Sequence, residues 1–167
     1  MNFKKMALAL SLLLGATAAF AQVDPQSFKG KAAPAFTMKD LKGKAVTNKS
    51  LKGKVVLLDF WTTWSGPCLK ASPLMQKLHT KYAKQGLVVV GANVSDSSSA
   101  AATYQKKNKY AYTFTTGGEG LQQKMGLTAI PAFVFIDKKG VVQRVQIGFG
   151  PSLEADFEKT VKNLLAA

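Results

Sequence analysis

The sequence predicts an α/β domain in which a central sheet is covered by helices, and three observations carry that prediction. Two apolar runs, residues 55–61 and 87–93, are rich in β-formers and short enough to be buried strands. Two longer stretches, residues 67–85 and 153–165, place apolar side chains at helical spacing. Strand-like and helix-like segments then alternate through most of the chain, the pattern of an α/β architecture.

The first residues are read separately from the fold. Lys4 and Lys5 precede an apolar core at residues 6–14, and residues 15–21 are small, ending in Ala19-Phe20-Ala21. This is the pattern of a cleavable secretory signal, with cleavage expected after Ala21 and export to the bacterial periplasm. The alternative, a retained membrane anchor, is disfavoured because the apolar run is short for a bilayer span and no stop-transfer segment follows. The membrane is then met only during export. Residues 22–33, polar and small with Pro25, read as a flexible lead-in, and residues 34–167 as one domain.

Within that domain each element has a local reason. Residues 36–48 form a hairpin around the Gly43 turn, and residues 51–54 make a second turn. Residues 55–61 are interrupted by a single carboxylate, Asp59, and are read as the central strand. Residues 67–85 carry Leu74, Leu78 and Tyr82 at four-residue spacing, with Lys70, Lys77, Lys81 and Lys84 for the wet side and Pro73 as an expected kink. After the strand 87–93, the polar stretch 95–99, containing Asp96, is expected to start a helix over 100–108. A short strand or extended loop at 112–114 and a short helix at 119–125, closed by Gly126, come next. Strands at 132–137 and 141–147 are joined by a turn at Gly140. The last helix has Leu153, Phe157, Val161 and Leu164 on its apolar stripe.

Composition bounds the function. The formal charge is +14, falling to +12 without Lys4 and Lys5, and Arg144 is the only arginine. The lysines recur singly or in pairs without an arginine-rich or aromatic-interleaved stripe, so a solvated basic surface is expected and nucleic acid is not a predicted partner. Attraction to acidic partners or an anionic membrane face is a secondary expectation. His79 has no partner at ligand spacing and is read as a surface histidine; no metal and no cofactor are predicted. There is one cysteine, Cys68, which cannot form an intramolecular bridge. It is therefore either a buried inert thiol or a group that reacts with something from outside.

The residues around that cysteine form a specific arrangement. A strand ending in Asp59-Phe60-Trp61 is followed by Thr62-Thr63-Trp64 and then by Ser65-Gly66-Pro67-Cys68 at the start of a helix. With Pro73 five residues after Cys68, the loop Ala129-Ile130-Pro131 before an apolar strand, and the Gly140 turn, the chain resembles the thioredoxin superfamily. Within it, the chain is similar to the exported TlpA/ResA-like thiol-disulfide oxidoreductases, or redoxins. The resemblance covers roughly residues 33–165 and implies a thioredoxin-like fold with an N-terminal β-hairpin extension.

Family members use two cysteines, the first attacking a disulfide and the second resolving the mixed intermediate. Unpaired N–H groups and the positive end of the helix dipole lower the pKa of a thiol placed at the helix start. Here that position is Ser65, whose alcohol neither ionises usefully near neutral pH nor forms a disulfide, so a two-thiol cycle cannot run within the chain. Peroxidase chemistry, needing a reactive cysteine at the same place, is disfavoured too. Three readings of Ser65 stay open: a degenerate enzyme that keeps its groove, a hydroxyl that donates to the thiolate of Cys68 or of a bound thiol such as glutathione, and an engineered substitution.

The resemblance also implies roles for other residues. Asp59 is the expected proton acceptor for Cys68, the alternative being a carboxylate kept protonated or bridged through water to Lys84. Ile130 and Pro131, with a cis peptide bond between them, together with Trp64, Gly66 and Pro67, are the expected groove for an extended substrate. Trp61 and Trp64 are candidates to cover the motif, although packing is the default for such rings. Where cytochrome-maturation members carry a glutamate beside this loop, the chain has Ala132. The implied partners are exported proteins with thiols or disulfides and a small thiol such as glutathione. The chain is expected to be a monomer, either with at most monothiol chemistry at Cys68 or acting as a non-catalytic peptide- or thiol-binding module.

Overall fold

The computed structural model describes residues 22–167, so the signal-peptide reading of residues 1–21 lies outside the described residues. The fold is built on a mixed sheet of seven strands: β1 (Thr37–Asp40), β2 (Ala45–Thr47), β3 (Val55–Trp61), β4 (Leu87–Asn93), β5 (Thr113–Thr116), β6 (Ala132–Ile136) and β7 (Val142–Ile147). Their spatial order is β2-β1-β5-β4-β3-β6-β7. Strands β3, β4 and β5 run parallel and the remaining pairings are antiparallel. Four helices complete the fold: α1 (Gly66–Tyr82), α2 (Ser98–Asn108), α3 (Glu119–Lys124) and α4 (Leu153–Ala166). This is a thioredoxin-like arrangement, and the hairpin β1–β2 joins the sheet through β5.

Every residue of β3 is buried, as its apolar run requires of a strand covered on both faces. Alternation along the strand sorts the side chains into two cores. Val55, Leu57 and Trp61 join Cys68, Ala71, Met75, Phe157 and Val161, under α1 and α4. Val56, Leu58 and Phe60 join Met38, Leu121, Val134 and Val145 on the opposite face. Asp59 falls between Leu57 and Trp61 in the alternation and so faces the α1 side. Gly91 of β4 is its register partner, and a Cβ there would stand 3.1 Å from Trp61 Nε1 and 3.2 Å from Tyr112 Cε2. The glycine makes room for both rings.

Helix α1 runs through Pro73, which is exposed and deprives the Leu69 carbonyl of its helical partner. The stretch read as helix up to residue 85 changes at Tyr82 into a 3-10 turn, Ala83–Gln85, closed by Gly86 at φ 106°. Lysines expected on the wet side of α1 do more than face water: Lys77 pairs with Glu154, and Lys81 with Glu158, tying α1 to α4. His79 is half-buried rather than fully on the surface, and burial holds its pKa below the usual value.

The segment read as a flexible lead-in is docked instead. Pro25–Phe28 form a 3-10 turn capped by Asp24, Gly30 N–H donates to Val142 O at 2.8 Å, and Val142 N–H donates back to Lys31 O at 2.9 Å. Phe28 and Ala33 pack against the second core. The edge of β7 offers unpaired backbone groups, and this segment satisfies them. The start of the segment has a separate contact after α3, where a Cβ on Gly126 would lie 2.1 Å from Val23 O.

Candidate functional site

The motif Ser65-Gly66-Pro67-Cys68 sits where the resemblance requires, at the junction of β3 and α1. Ser65 is the N-cap of α1, with extended backbone (φ −88°, ψ 106°), and its Oγ accepts from Cys68 N–H at 3.4 Å. Serine is a favoured capping residue because its oxygen satisfies one of the orphan N–H groups of the first turn. Pro67 occupies the first turn, where a missing N–H costs nothing. Gly66 and Pro67 are exposed, Ser65 is buried, and Cys68 has no exposed surface at all.

Burial pushes the Cys68 thiol above its ordinary pKa, opposed by hydrogen bonding from Ser65 and from the Thr62 backbone, while the charge of Asp59 adds to the rise. The helix start therefore holds an alcohol where its dipole would favour a thiolate, and the thiol lies one turn inward. Ser72, a turn further on, donates to the Cys68 carbonyl at 3.2 Å.

Five buried side-chain polar atoms among the described residues have no protein partner. Both carboxyl oxygens of Asp59, Trp61 Nε1, Thr62 Oγ1 and the Tyr112 hydroxyl are buried and make no hydrogen bond to the protein. Lys84 makes no direct ion pair with Asp59, the carboxyl has no hydrogen-bond partner in the protein, and burial pushes its pKa up to about 8. Burial, with the charge of Asp59 second, raises that of Tyr112 as well. Asp59 faces the same side of the sheet as Cys68, and no hydrogen bond joins the two.

The two tryptophans separate. Trp61 is fully buried, 5.1 Å from the Tyr104 ring and 5.2 Å from Phe114, and is a core residue. Trp64 is 70% exposed and stands out beside the motif instead of covering it, its indole N–H donating to Ser95 Oγ at 3.3 Å. Ile130 is partly buried and touches both cores, the Ile130–Pro131 peptide bond is cis, and Pro131 O accepts from Gly148 N–H at 2.8 Å. Ala132 is buried in the second core.

The sequence reading missed a residue that positions the motif. Asp96, expected at a helix start, turns back to the loop after β3: its carboxylate accepts from Thr63 N–H at 2.6 Å, from Thr63 Oγ1 at 2.8 Å and from Asn93 Nδ2 at 2.7 Å. Asn93 Oδ1 in turn accepts from the backbone of Ser95 and Asp96. The cap of α2 falls to Ser97, whose Oγ accepts from Ala100 N–H. The only local sign was an Asn-x-x-Asp spacing after a strand, which is equally consistent with a turn.

Comparison with known proteins agrees with this geometry. The Redoxin family model matches residues 28–164. The chain belongs to the Redoxin family. It is 33% identical over 138 residues to the thiol-disulfide oxidoreductase ResA of Bacillus thuringiensis subsp. konkukian, covering 81% of this chain and 78% of that one. It is 35% identical over 126 residues to the thioredoxin-like protein YneN of Bacillus subtilis, covering 72% of each. Among solved structures, a thioredoxin-family thiol:disulfide interchange protein from Chlorobium tepidum matches with a TM-score of 0.72 and 30% identity, over 82% of this chain and 97% of that one. The redoxin described here is thus TlpA/ResA-like over nearly its whole described length.

Proposed function

We propose that this redoxin is an exported thiol-disulfide oxidoreductase by descent, whose two-thiol exchange is lost and whose remaining chemistry is at most that of the single thiol of Cys68. The observation that carries the reading is Ser65 as N-cap of α1, in the place of a thiol, with Cys68 fully buried behind it. A Cys68 thiolate attacking a disulfide would form one mixed disulfide and release one thiolate. With no second cysteine in the chain, an external thiol such as glutathione would have to complete the exchange. Export rests on the residue pattern before Ala21. The partners in this reading are exported proteins carrying thiols or disulfides.

A second reading has its own observation. Trp64, 70% exposed next to the buried motif, offers an aromatic face beside the motif, as a non-catalytic site for an extended peptide or a thiol ligand would. Ser65→Cys separates the two. A scaffold still poised for exchange gains insulin disulfide reduction by at least tenfold over the parent. A groove rebuilt for binding stays inert while its thermal transition is unchanged, and that result overturns the first reading. Timed alkylation of Cys68 with and without denaturant adds the state of the native thiol: modification only after unfolding leaves no monothiol chemistry in the folded protein.

A further inference from the structure

A cavity lies far from the motif. Its volume is about 370 Å³, within the range of roughly 300–1,000 Å³ typical of small-molecule sites. The cavity opens between the docked N-terminal segment, the turn after β2 and the loop joining β6 to β7, with Val56 and Ile136 in its floor. These two are register partners at the end of the β3–β6 pair opposite the motif. Trp61 lies five residue steps along β3 from Val56, about 17 Å at the usual strand rise. Val56 and Ile136 also belong to the core on the other face from Cys68.

The lining has two characters. Phe36, Leu51, Val56 and Ile136 form an apolar, largely buried floor, whereas Lys49, Lys52 and Lys139 are exposed around the mouth. None of the three lysines makes an ion pair among the described residues. The one carboxylate in the lining, Asp137, is already engaged: Oδ1 accepts from the N–H groups of Lys139 and Val141, and Oδ2 from Gln143 Nε2, at 2.8–3.0 Å. Asn48 is likewise occupied, donating to the carbonyls of Ala33 and Pro34 and accepting from Phe36 N–H, so it holds the cavity wall in place.

We infer that this cavity binds a small amphipathic carboxylate, its aliphatic or aromatic body on the apolar floor and its carboxylate among Lys49, Lys52 and Lys139. Charge complementarity selects the anion, because three unpaired ammonium groups surround one mouth. The floor selects an apolar body, because hydrophobic burial there is the only gain available to a ligand that has no free hydrogen-bonding group to meet deeper in. A second copy of this chain is disfavoured as occupant, since each copy would bring its own lysines to the contact. The site stands apart from the Ser65–Cys68 motif, and the inference does not depend on the function proposed for it.

Titration of the isotope-labelled protein with decanoate, decanol and inorganic phosphate, followed by backbone amide shifts, tests the assignment. Decanoate is expected to shift Ala33, Leu51, Val56 and Ile136 saturably, with decanol and phosphate each at least tenfold weaker. The triple variant Lys49→Gln, Lys52→Gln, Lys139→Gln changes only exposed side chains. It is expected to weaken decanoate about tenfold and to leave decanol unchanged, given the modest strength of each exposed charge pair. Ala33→Phe should block both ligands. Equal binding of decanol and decanoate, phosphate competing as well as decanoate, an unaltered affinity in the triple variant, shifts centred on Trp64 and Ile130, or no saturable shift would each overturn the inference.

Discussion

Replacing Asp59 by asparagine should stabilise the protein, and the size of the effect follows from the burial of the carboxyl. In the folded chain Asp59 is completely buried, lacks a hydrogen-bond partner, and has its pKa raised from 3.8 to about 8. In the unfolded chain the group ionises near 4. Between these values the folded state binds a proton that the unfolded state has released, so stability falls as pH rises through this window and the loss is complete above about 8. At pH 7 the accumulated penalty is on the order of 4 kcal/mol. Asparagine cannot ionise, and leaves a buried polar group unpaired much as the protonated acid does, so most of that penalty should be recovered. The expected gain is about 3 kcal/mol at pH 7, or roughly 10 °C in Tm for a domain of this size, shrinking to near zero at pH 4. Urea unfolding at pH 4, 5.5, 7 and 8.5, followed by tryptophan fluorescence, measures both quantities. His79 titrates in the same range with the opposite sign, because its folded pKa is lowered and its contribution to stability grows with pH; it is common to both proteins and cancels in the difference. Parallel stability curves for the two proteins, or a variant less stable at pH 7, would refute the reasoning.

Asp96→Ala removes the carboxylate that accepts from Thr63 N–H, Thr63 Oγ1 and Asn93 Nδ2. About 2–4 kcal/mol of stability should be lost in chemical denaturation, together with a change in the fluorescence of Trp64, whose loop is released. Ser65→Ala deletes the cap of α1, which is long at 3.4 Å, so the cost should be only about 0.5–1 kcal/mol. Phe157→Ala opens the core between α4 and the sheet, where the ring meets Phe133 at 4.9 Å and Phe135 at 5.0 Å. A loss of about 3–5 kcal/mol is expected by the same unfolding assay.

Most of the architecture was legible because its causes are local. The apolar run of β3, broken only by Asp59, buries itself wherever the sheet lies, and the spacing of Phe157 and Val161 makes one face of α4 apolar before any partner is known. The chemical disability of the motif is also local, since an alcohol at Ser65 lacks the ionisation and the sulfur of a thiol in any fold. What escaped the sequence depends on pairs far apart along the chain. Thr63 and Asp96 are 33 residues apart, and nothing near Asp96 distinguishes a helix cap from a clamp on a distant loop. The lead-in looked polar and free because its acceptor, the edge of β7, is supplied more than 100 residues later.

The strands and helices, the single cysteine and the alcohol at the head of α1 can all be read from the chain alone, because side-chain period and chemical identity are written residue by residue. It takes the folded chain to leave Asp59 without a protein partner, to put Trp64 in solvent and Trp61 in the core, and to set three lysines around an apolar cavity at the other end of the sheet. Burial and charge balance are properties of what the whole chain brings to one place, and no short stretch of it contains them.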